Sequence, residues 1–99
     1  MSARMAIDRE KVARFCRKHY IRKLAFFGSV LRDDFGHDSD VDVLVEFEPG
    51  HVPGLAFISM ETELSEILGR KVDLNTAGFL SPYFREAVLQ EAEVQYAAS

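Results

Sequence analysis

The most constraining feature of the chain is a strand-like run with two acids at its start. Residues 40–47 read DVDVLVEF. Because side chains on a strand alternate between faces, Asp40 and Asp42 are predicted to point the same way, while the valines at 41, 43 and 45 face a core. Two bare carboxylates on one face repel each other, and a divalent cation is the usual remedy. The run therefore predicts a strand with a core side and a metal-binding side.

A second segment that could bind a ligand precedes the acids. The apolar run 24–27 reads as a short strand and is closed by Gly28 and Ser29. Glycine lets the backbone approach a ligand closely, and Ser29 brings a hydroxyl and an N–H to the expected start of a helical turn over 29–35, which suits an anion. Phosphate donors and carboxylate-held magnesium occur together in phosphoryl and nucleotidyl transfer. The two segments together predict that kind of chemistry.

A third acid strengthens this interpretation. A predicted helix ends at Gly69, and residues 71–75 then read as a short strand whose single acid, Asp73, is centred between apolar neighbours. An unpaired carboxylate in such surroundings would be costly. We therefore take Asp73 as the third acid of the metal site.

Other interpretations of the aspartates are weaker. Residues 38–42 could begin a calcium loop of the EF-hand type, but Val43 and Pro49 stand at the sixth and twelfth positions, where glycine and glutamate are needed. Alternatively, Asp40 and Asp42 only cap a turn and solvate an edge strand. The preceding glycine-serine pair and the later Asp73 favour the metal site over this second alternative.

The motif residues resemble a known family. They are Gly28-Ser29, Arg32, Ser39-Asp40-x-Asp42 and the later Asp73. This set resembles the DNA polymerase β-type nucleotidyltransferase superfamily, and in particular its small stand-alone MNT branch. The resemblance implies that the glycine-serine pair holds the triphosphate and that the paired acids hold two magnesium ions. It also implies that the third acid helps to activate the attacking hydroxyl.

Two interpretations are open for Arg32. It is predicted to contact a phosphate of the nucleotide, but pairing with Asp33, Asp34 or Asp38 stays open. Many small members of the family have glycine after the motif arginine, whereas Asp33 follows Arg32 here. The spacing of the three predicted metal-binding acids is unaffected by this departure.

The resemblance also implies a function. Stand-alone MNT proteins are commonly antitoxins paired with HEPN-domain ribonuclease toxins, and some AMPylate a tyrosine of the toxin. The expected activity is therefore transfer of AMP, or another nucleoside monophosphate, from ATP to a hydroxyl of a protein partner, with Mg²⁺ or Mn²⁺ as cofactor. The alternatives are a non-catalytic antitoxin that masks its partner and transfer to a small molecule such as an aminoglycoside.

Composition limits the other possibilities. The 99 residues are expected to form one domain, 1–99, with no second domain to grip an acceptor. A net charge of -4 argues against an extended nucleic-acid surface. No signal segment or membrane span is visible, and the lone Cys16, predicted to be buried, fits a reducing compartment, so a cytoplasmic location is expected.

The predicted fold is a small α/β (α+β) domain of the polymerase β-like type. Asp8 caps a first helix that buries Val12, Phe15, Cys16 and Tyr20, and strands follow at 24–27 and 41–47. A Pro/Gly-rich loop over 48–54 contains His51, to which we assign no role. A second helix spans 55–68 and a third strand spans 71–75. A last helix is expected to run from Ser81-Pro82 toward Tyr96, with Leu89 buried and Glu91 exposed to solvent. Helices are expected on one face of a mixed three-stranded sheet, with the acids on the open face.

Overall fold

The structure of the protein, a computed structural model, describes residues 7–31, 40–51, 53–76 and 82–98. These residues form three α-helices, one short 3₁₀ turn and four strands. In chain order the elements are α1 (Arg9–Lys18), β1 (Ile21–Phe27), the 3₁₀ turn (Gly28–Leu31), β2 (Val41–Phe47), α2 (Ala56–Leu68), β3 (Val72–Asn75), α3 (Pro82–Glu91) and β4 (Glu93–Ala97).

The four strands make one mixed sheet in the order β3-β2-β1-β4. β1 runs antiparallel to both β2 and β4, whereas β2 and β3 are parallel. The predicted fold class is confirmed, because helices and a mixed sheet alternate as expected. The predicted count of three strands is wrong.

The fourth strand replaces the end of the predicted last helix. α3 ends at Glu91, and the chain turns to lay β4 along β1, where Val94 is in register with Ala25. Without β4, the backbone N–H and C=O groups along this edge of β1 would lack strand partners. Pairing with a strand about seventy residues earlier in the chain therefore overrides a local pattern that continues the helix.

One face of the sheet is covered by α1 and α2. Asp8 caps α1 as predicted, since its carboxylate accepts from the N–H groups of Glu10 and Lys11, both at 3.1 Å. Gly69 ends α2 in the left-handed conformation, with φ 69°. Burial raises the pKa of the Cys16 thiol to about 12, which fits its predicted role as a core residue. The core on this face includes Val12, Phe15, Leu24, Phe26, Val43, Val45, Met60 and Leu64.

Two side chains predicted to be buried lie at the surface. Tyr20 follows the end of α1 at φ 57° and is 54% exposed, so it does not belong to the buried face of that helix. Its ring stacks on His51 instead, with centroids 4.0 Å apart and planes 12° from parallel. Leu89 of α3 is 49% exposed.

α3 packs on the opposite face of the sheet. Its Val88, with Ala92 directly after the helix, contacts Phe27 of β1 and Leu44 of β2. The face predicted to be open is therefore partly covered at this point. Within the described ranges, every helix is too short or too polar to pass through a lipid bilayer.

Candidate active site

The parallel pairing of β2 and β3 brings two of the predicted acids side by side. Asp42 is in register with Asp73. One residue before Asp42, the N–H of Val41 donates to the carbonyl of Lys71 at 2.8 Å. Residues in register on neighbouring strands share a face, and adjacent strands lie about 4.8 Å apart. The two carboxylates therefore rise from the same face of the sheet at neighbouring positions.

Asp73 is held in place by side chains of α2. β3 is an edge strand, and its outward N–H groups at Val72 and Leu74 find acceptors on the helix. The Val72 N–H donates to Ser65 Oγ at 3.0 Å, and the Leu74 N–H donates to Glu61 Oε2 at 2.8 Å. These bonds fix the backbone on both sides of Asp73 and so fix where its carboxylate starts.

The burial of Asp73 differs from the sequence-based expectation. Val72 and Leu74 are buried against the helices, but Asp73 itself is exposed. Strand alternation separates it from its apolar neighbours, so the cost of an unpaired buried carboxylate was the wrong argument for selecting it. The observation that now supports its selection is its register with Asp42.

Gly28 packs directly against the Asp42 carboxylate. A Cβ at Gly28 would overlap Oδ2 of Asp42 and would lie 3.2 Å from its Cγ. The backbone of Gly28 has φ +74°, a conformation that residues other than glycine adopt only with strain. Glycine is therefore required twice at this position, once for its φ and once for the space that the carboxylate fills.

The remaining predicted site residues are placed less completely. Asp40 is exposed and immediately precedes β2, at the end of the sheet where Asp42 and Asp73 lie. Ser29 follows Gly28 in the 3₁₀ turn over 28–31, which agrees with the predicted helical turn. Arg32 lies outside the described residues, as does the rest of the predicted turn up to Phe35.

The acids are suited to a hard cation but do not form a complete set of metal ligands in the described parts of the chain. In the described parts of the chain, no three His, Cys, Asp or Glu side chains are grouped closely enough to hold a metal ion. Asp42 and Asp73 nevertheless supply two carboxylates on one face, and carboxylate oxygens are the donors that Mg²⁺ prefers. Magnesium usually keeps several waters and is completed by substrate phosphates, so this donor set fits it.

Sequence analysis missed one residue at the site. The N–H of Gly28 donates to Oε1 of Glu91, the last residue of α3, at 3.2 Å. We expected Glu91 to be an ordinary solvated side chain of the last helix. The sequence carried no signal for this contact, because the predicted last helix continued toward Tyr96 and placed Glu91 inside it, whereas α3 ends at Glu91.

The acid-bearing face continues into an apolar cavity beside α3. The cavity has a volume of about 360 Å³. Leu44 lines it and is two residues from Asp42 on the same face of β2, about 7 Å along the strand. The apolar residues that line it include Ala25, Leu44, Phe47, Leu89, Ala92 and Val94.

Comparison with known proteins gives the family. The model of the nucleotidyltransferase domain family matches residues 9–94. The protein adenylyltransferase MntA of Thermococcus cleftensis is 40% identical over 72 residues, which cover 72% of this chain and 71% of that protein.

Solved structures agree with this assignment. The structure of a candidate minimal nucleotidyltransferase matches with a TM-score of 0.70 at 39% identity and covers 85% of both chains. A structure of the tri-AMPylated Shewanella oneidensis HEPN toxin in complex with MNT antitoxin matches with a TM-score of 0.65 over 91% of this chain and 70% of that chain. At 18% identity, the second match shows the fold alone. The chain therefore belongs to the nucleotidyltransferase domain family, and the resemblance to its MNT branch is confirmed.

Proposed function

We propose that the protein transfers AMP from ATP to a hydroxyl of a protein partner, a tyrosine of a HEPN-domain toxin, and thereby acts as an antitoxin in the cytoplasm. The observation that carries this proposal is the register of Asp42 with Asp73 beside Gly28, which puts two carboxylates next to a backbone suited to phosphate. The likeness to a protein adenylyltransferase supports AMP as the transferred group. The fold match to an MNT antitoxin bound to an AMPylated HEPN toxin supports the acceptor class.

The acids carry the chemistry in this proposal. Asp40 and Asp42 would hold two magnesium or manganese ions, and Asp73 would complete the second site. The metals, when bound, offset the charge of the triphosphate and favour the deprotonated form of the attacking hydroxyl. A new bond forms between the acceptor oxygen and the α-phosphorus, the bond from that phosphorus to the β-phosphate oxygen breaks, and pyrophosphate leaves. The proton of the hydroxyl passes to solvent.

Backbone and hydroxyl groups position the triphosphate. The N–H of Gly28 and the hydroxyl of Ser29 hold the β- and γ-phosphates, and Arg32 adds a charged contact. Gly28 suits this role because it has no side chain between the backbone and an incoming ligand. Its contact with Asp42 keeps the phosphate site and the metal site within a few ångströms of each other.

The acceptor side chain approaches along the same face of the sheet. The cavity beside Leu44 offers an apolar surface about 7 Å from the acids, a suitable place for an aromatic ring whose hydroxyl must reach the α-phosphate. A tyrosine meets both requirements, because it combines an apolar ring with a nucleophilic oxygen.

Metal removal tests the role of the acids directly. ATP should bind in the presence of magnesium or manganese and poorly in EDTA, because bare carboxylates repel the triphosphate. Calorimetric titration with and without chelator measures the difference. Equal affinity in both conditions would remove Asp40 and Asp42 from the metal site.

The decisive test of the function uses Asp42→Asn. We expect a loss of roughly a hundred- to ten-thousand-fold in the rate of label transfer from radiolabelled ATP to the purified partner, because one metal-holding charge is removed. Glu66→Gln, which neutralises an exposed acid on α2, is the matched control and should transfer label at the wild-type rate.

A pull-down and a toxicity assay with the same variant separate catalysis from masking. Complex formation should persist in Asp42→Asn, because the substitution lies on the sheet and leaves the outer surfaces of α1 and α2 unchanged. Loss of label and of protection, with the complex retained, supports nucleotidyl transfer. If Asp42→Asn protects cells as well as the wild type, the protein works by masking its partner.

A further inference from the structure

The free protein already has an anion at its phosphate-binding backbone. Oε1 of Glu91 accepts the Gly28 N–H at 3.2 Å, although the two residues are 63 positions apart in the chain. In the proposed function this same N–H holds a phosphate oxygen. One donor therefore has two candidate acceptors of the same charge type, one on the protein and one on the nucleotide.

The position of Glu91 is not explained by the stability of its own helix. Glu91 is the last residue of α3, and the last turn of that helix has no basic residue. The carbonyl end of a helix carries a partial negative charge, which disfavours an acid there. The contact with Gly28 is a stabilising interaction of this carboxylate that reaches across the fold to the end of β1.

Gly28 lies between two carboxylates. Asp42 fills the space where a Cβ would be, and Glu91 lies at the N–H. An uncomplexed triphosphate that approaches Gly28 meets both negative charges, whereas a metal-complexed triphosphate carries less net charge and is repelled less. The carboxylate of Glu91 is on an exposed side chain and can turn away into solvent when a phosphate arrives.

We propose that Glu91 determines which form of the nucleotide the site accepts. Its carboxylate occupies the Gly28 N–H in the free protein and yields that donor to the metal complex of ATP, while it repels ATP without metal. This inference rests on the proposed function, because it assumes that the triphosphate binds at Gly28. It adds a residue of α3 to a site otherwise built from β1, β2 and β3.

The test is calorimetric titration of ATP into the wild type, Glu91→Gln and Glu91→Ala, in EDTA and in magnesium. Glu91→Gln keeps the size and an acceptor oxygen but removes the charge. In EDTA we expect both variants to bind ATP about three- to tenfold more tightly than the wild type, the range for one screened charge pair near a surface. In magnesium the gain should fall to about twofold or less.

Glu86→Gln is the matched control, because it removes an exposed acid from the same helix away from Gly28. It should leave ATP affinity unchanged in both conditions. If it tightens binding as much as Glu91→Gln, the effect belongs to the net charge of the protein, and the specific role of Glu91 is overturned.

The amide proton of Gly28 provides a readout that needs no nucleotide. In an NMR spectrum, its resonance should shift upfield in Glu91→Ala, because a hydrogen bond to a carboxylate is lost, and it should stay nearly unshifted in Glu86→Gln. An unchanged Gly28 resonance would overturn the contact itself. Thermal melts of the same variants test whether the contact between Glu91 and Gly28 only stabilises the fold. A lower melting temperature with unchanged ATP affinity would overturn the proposal.

The two proposals fail in different ways. If the wild type binds ATP with magnesium but Glu91→Gln binds with the same metal dependence, only the inference on Glu91 is wrong. If neither the wild type nor the variants bind ATP in either condition, the proposed function is wrong and the role of Glu91 falls with it.

Discussion

The two faces of the sheet differ in what their side chains do. On the face toward α1 and α2, Leu24 and Phe26 are fully buried, and they belong to one continuous core. On the other face, the described core cluster is small: Phe27 and Leu44 against Val88 and Ala92. This second face also carries the acids and borders the cavity.

The difference shows how a small domain separates folding from chemistry. Apolar burial on the covered face contributes the stability, because the free energy of burial scales with the area removed from water. The acid face keeps charged groups solvated and close together, which costs stability and cannot be offset by packing there. Substitutions on the two faces should therefore separate into effects on unfolding and effects on nucleotide binding.

The largest expected effect is on the covered face. Phe26→Ala removes a fully buried aromatic side chain and should lower the free energy of unfolding by about 3–5 kcal/mol. Phe27→Ala, one residue later, is the matched control on the acid face, where fewer groups pack against the ring. We expect a smaller loss of stability for Phe27→Ala and a clearer loss of ATP affinity.

Urea titrations followed by circular dichroism measure the free energy of unfolding of Phe26→Ala and of Phe27→Ala. The milder Phe26→Leu keeps the comparison measurable if Phe26→Ala does not fold. Equal destabilisation by the two alanine variants would contradict the separation of the faces.

Next in size is a substitution at the boundary between the faces. Gly28→Ala adds a Cβ that overlaps the Asp42 carboxylate and strains a backbone with φ +74°. We expect ATP affinity with magnesium to fall about ten- to a hundredfold, the range for disturbing hydrogen bonds to charged groups. Calorimetry measures the change.

Gly69→Ala separates strain from overlap. Gly69 also has a positive φ, of 69°, but a Cβ there meets no described atom within 4 Å. It should therefore cost about 1 kcal/mol of stability and leave ATP affinity unchanged. If both alanine variants weaken ATP binding equally, overlap with Asp42 is not the cause.

The fold was predicted best where local pattern decides it. The bounds of β2 at 41–47, the Asp8 cap and the Gly69 terminus all follow from alternation, a side-chain acceptor and a left-handed glycine, which are local properties. β4 was missed because no glycine or proline separates it from α3. Its existence depends on the backbone of β1, a partner that no local window contains.

The site was predicted as a set of residues but not as an arrangement. Gly28, Asp42 and Asp73 carry recognisable motifs, so their identities could be read from the chain. Their mutual positions depend on the register of β2 with β3 and on the end of β1, which arise from tertiary pairing. Glu91 has no motif, and only the packing of α3 brings it to Gly28.

An effect of similar size is expected at Ser29. Ser29→Ala should weaken binding of ATP with magnesium by about 1–3 kcal/mol, the value for one hydrogen bond to a charged group, while the protein stays folded. A circular dichroism melt recorded beside the calorimetric titration distinguishes the two roles. A collapsed melt with normal affinity in the folded fraction would assign Ser29 to structure.

The smallest effect concerns an ion-pair network on the outer side of the helices. Glu63 of α2 accepts from His19 Nε2 at 2.9 Å and from Lys18 Nζ at 3.1 Å, which links the end of α1 to α2. Partial burial by itself raises the pKa of Glu63, but the hydrogen bonds and charges of His19 and Lys18 outweigh it and hold the pKa below its ordinary value of 4.5.

This lowered pKa predicts the sign of a pH-dependent change in stability and the pH range in which it occurs. A carboxyl whose pKa is lower in the folded protein stabilises it above the unfolded pKa and loses that contribution as the pH falls through the folded pKa. The melting temperature of the wild type should therefore exceed that of Glu63→Gln by about 1–5 °C near pH 6, and the gap should close as the pH falls below 4.5 and through the folded pKa. Glu66→Gln, an exposed neighbour on α2, should show no such gap. Because the network lies on the covered side of the sheet, Glu63→Gln should also bind ATP as the wild type does, and a changed affinity would mean that the two faces are coupled.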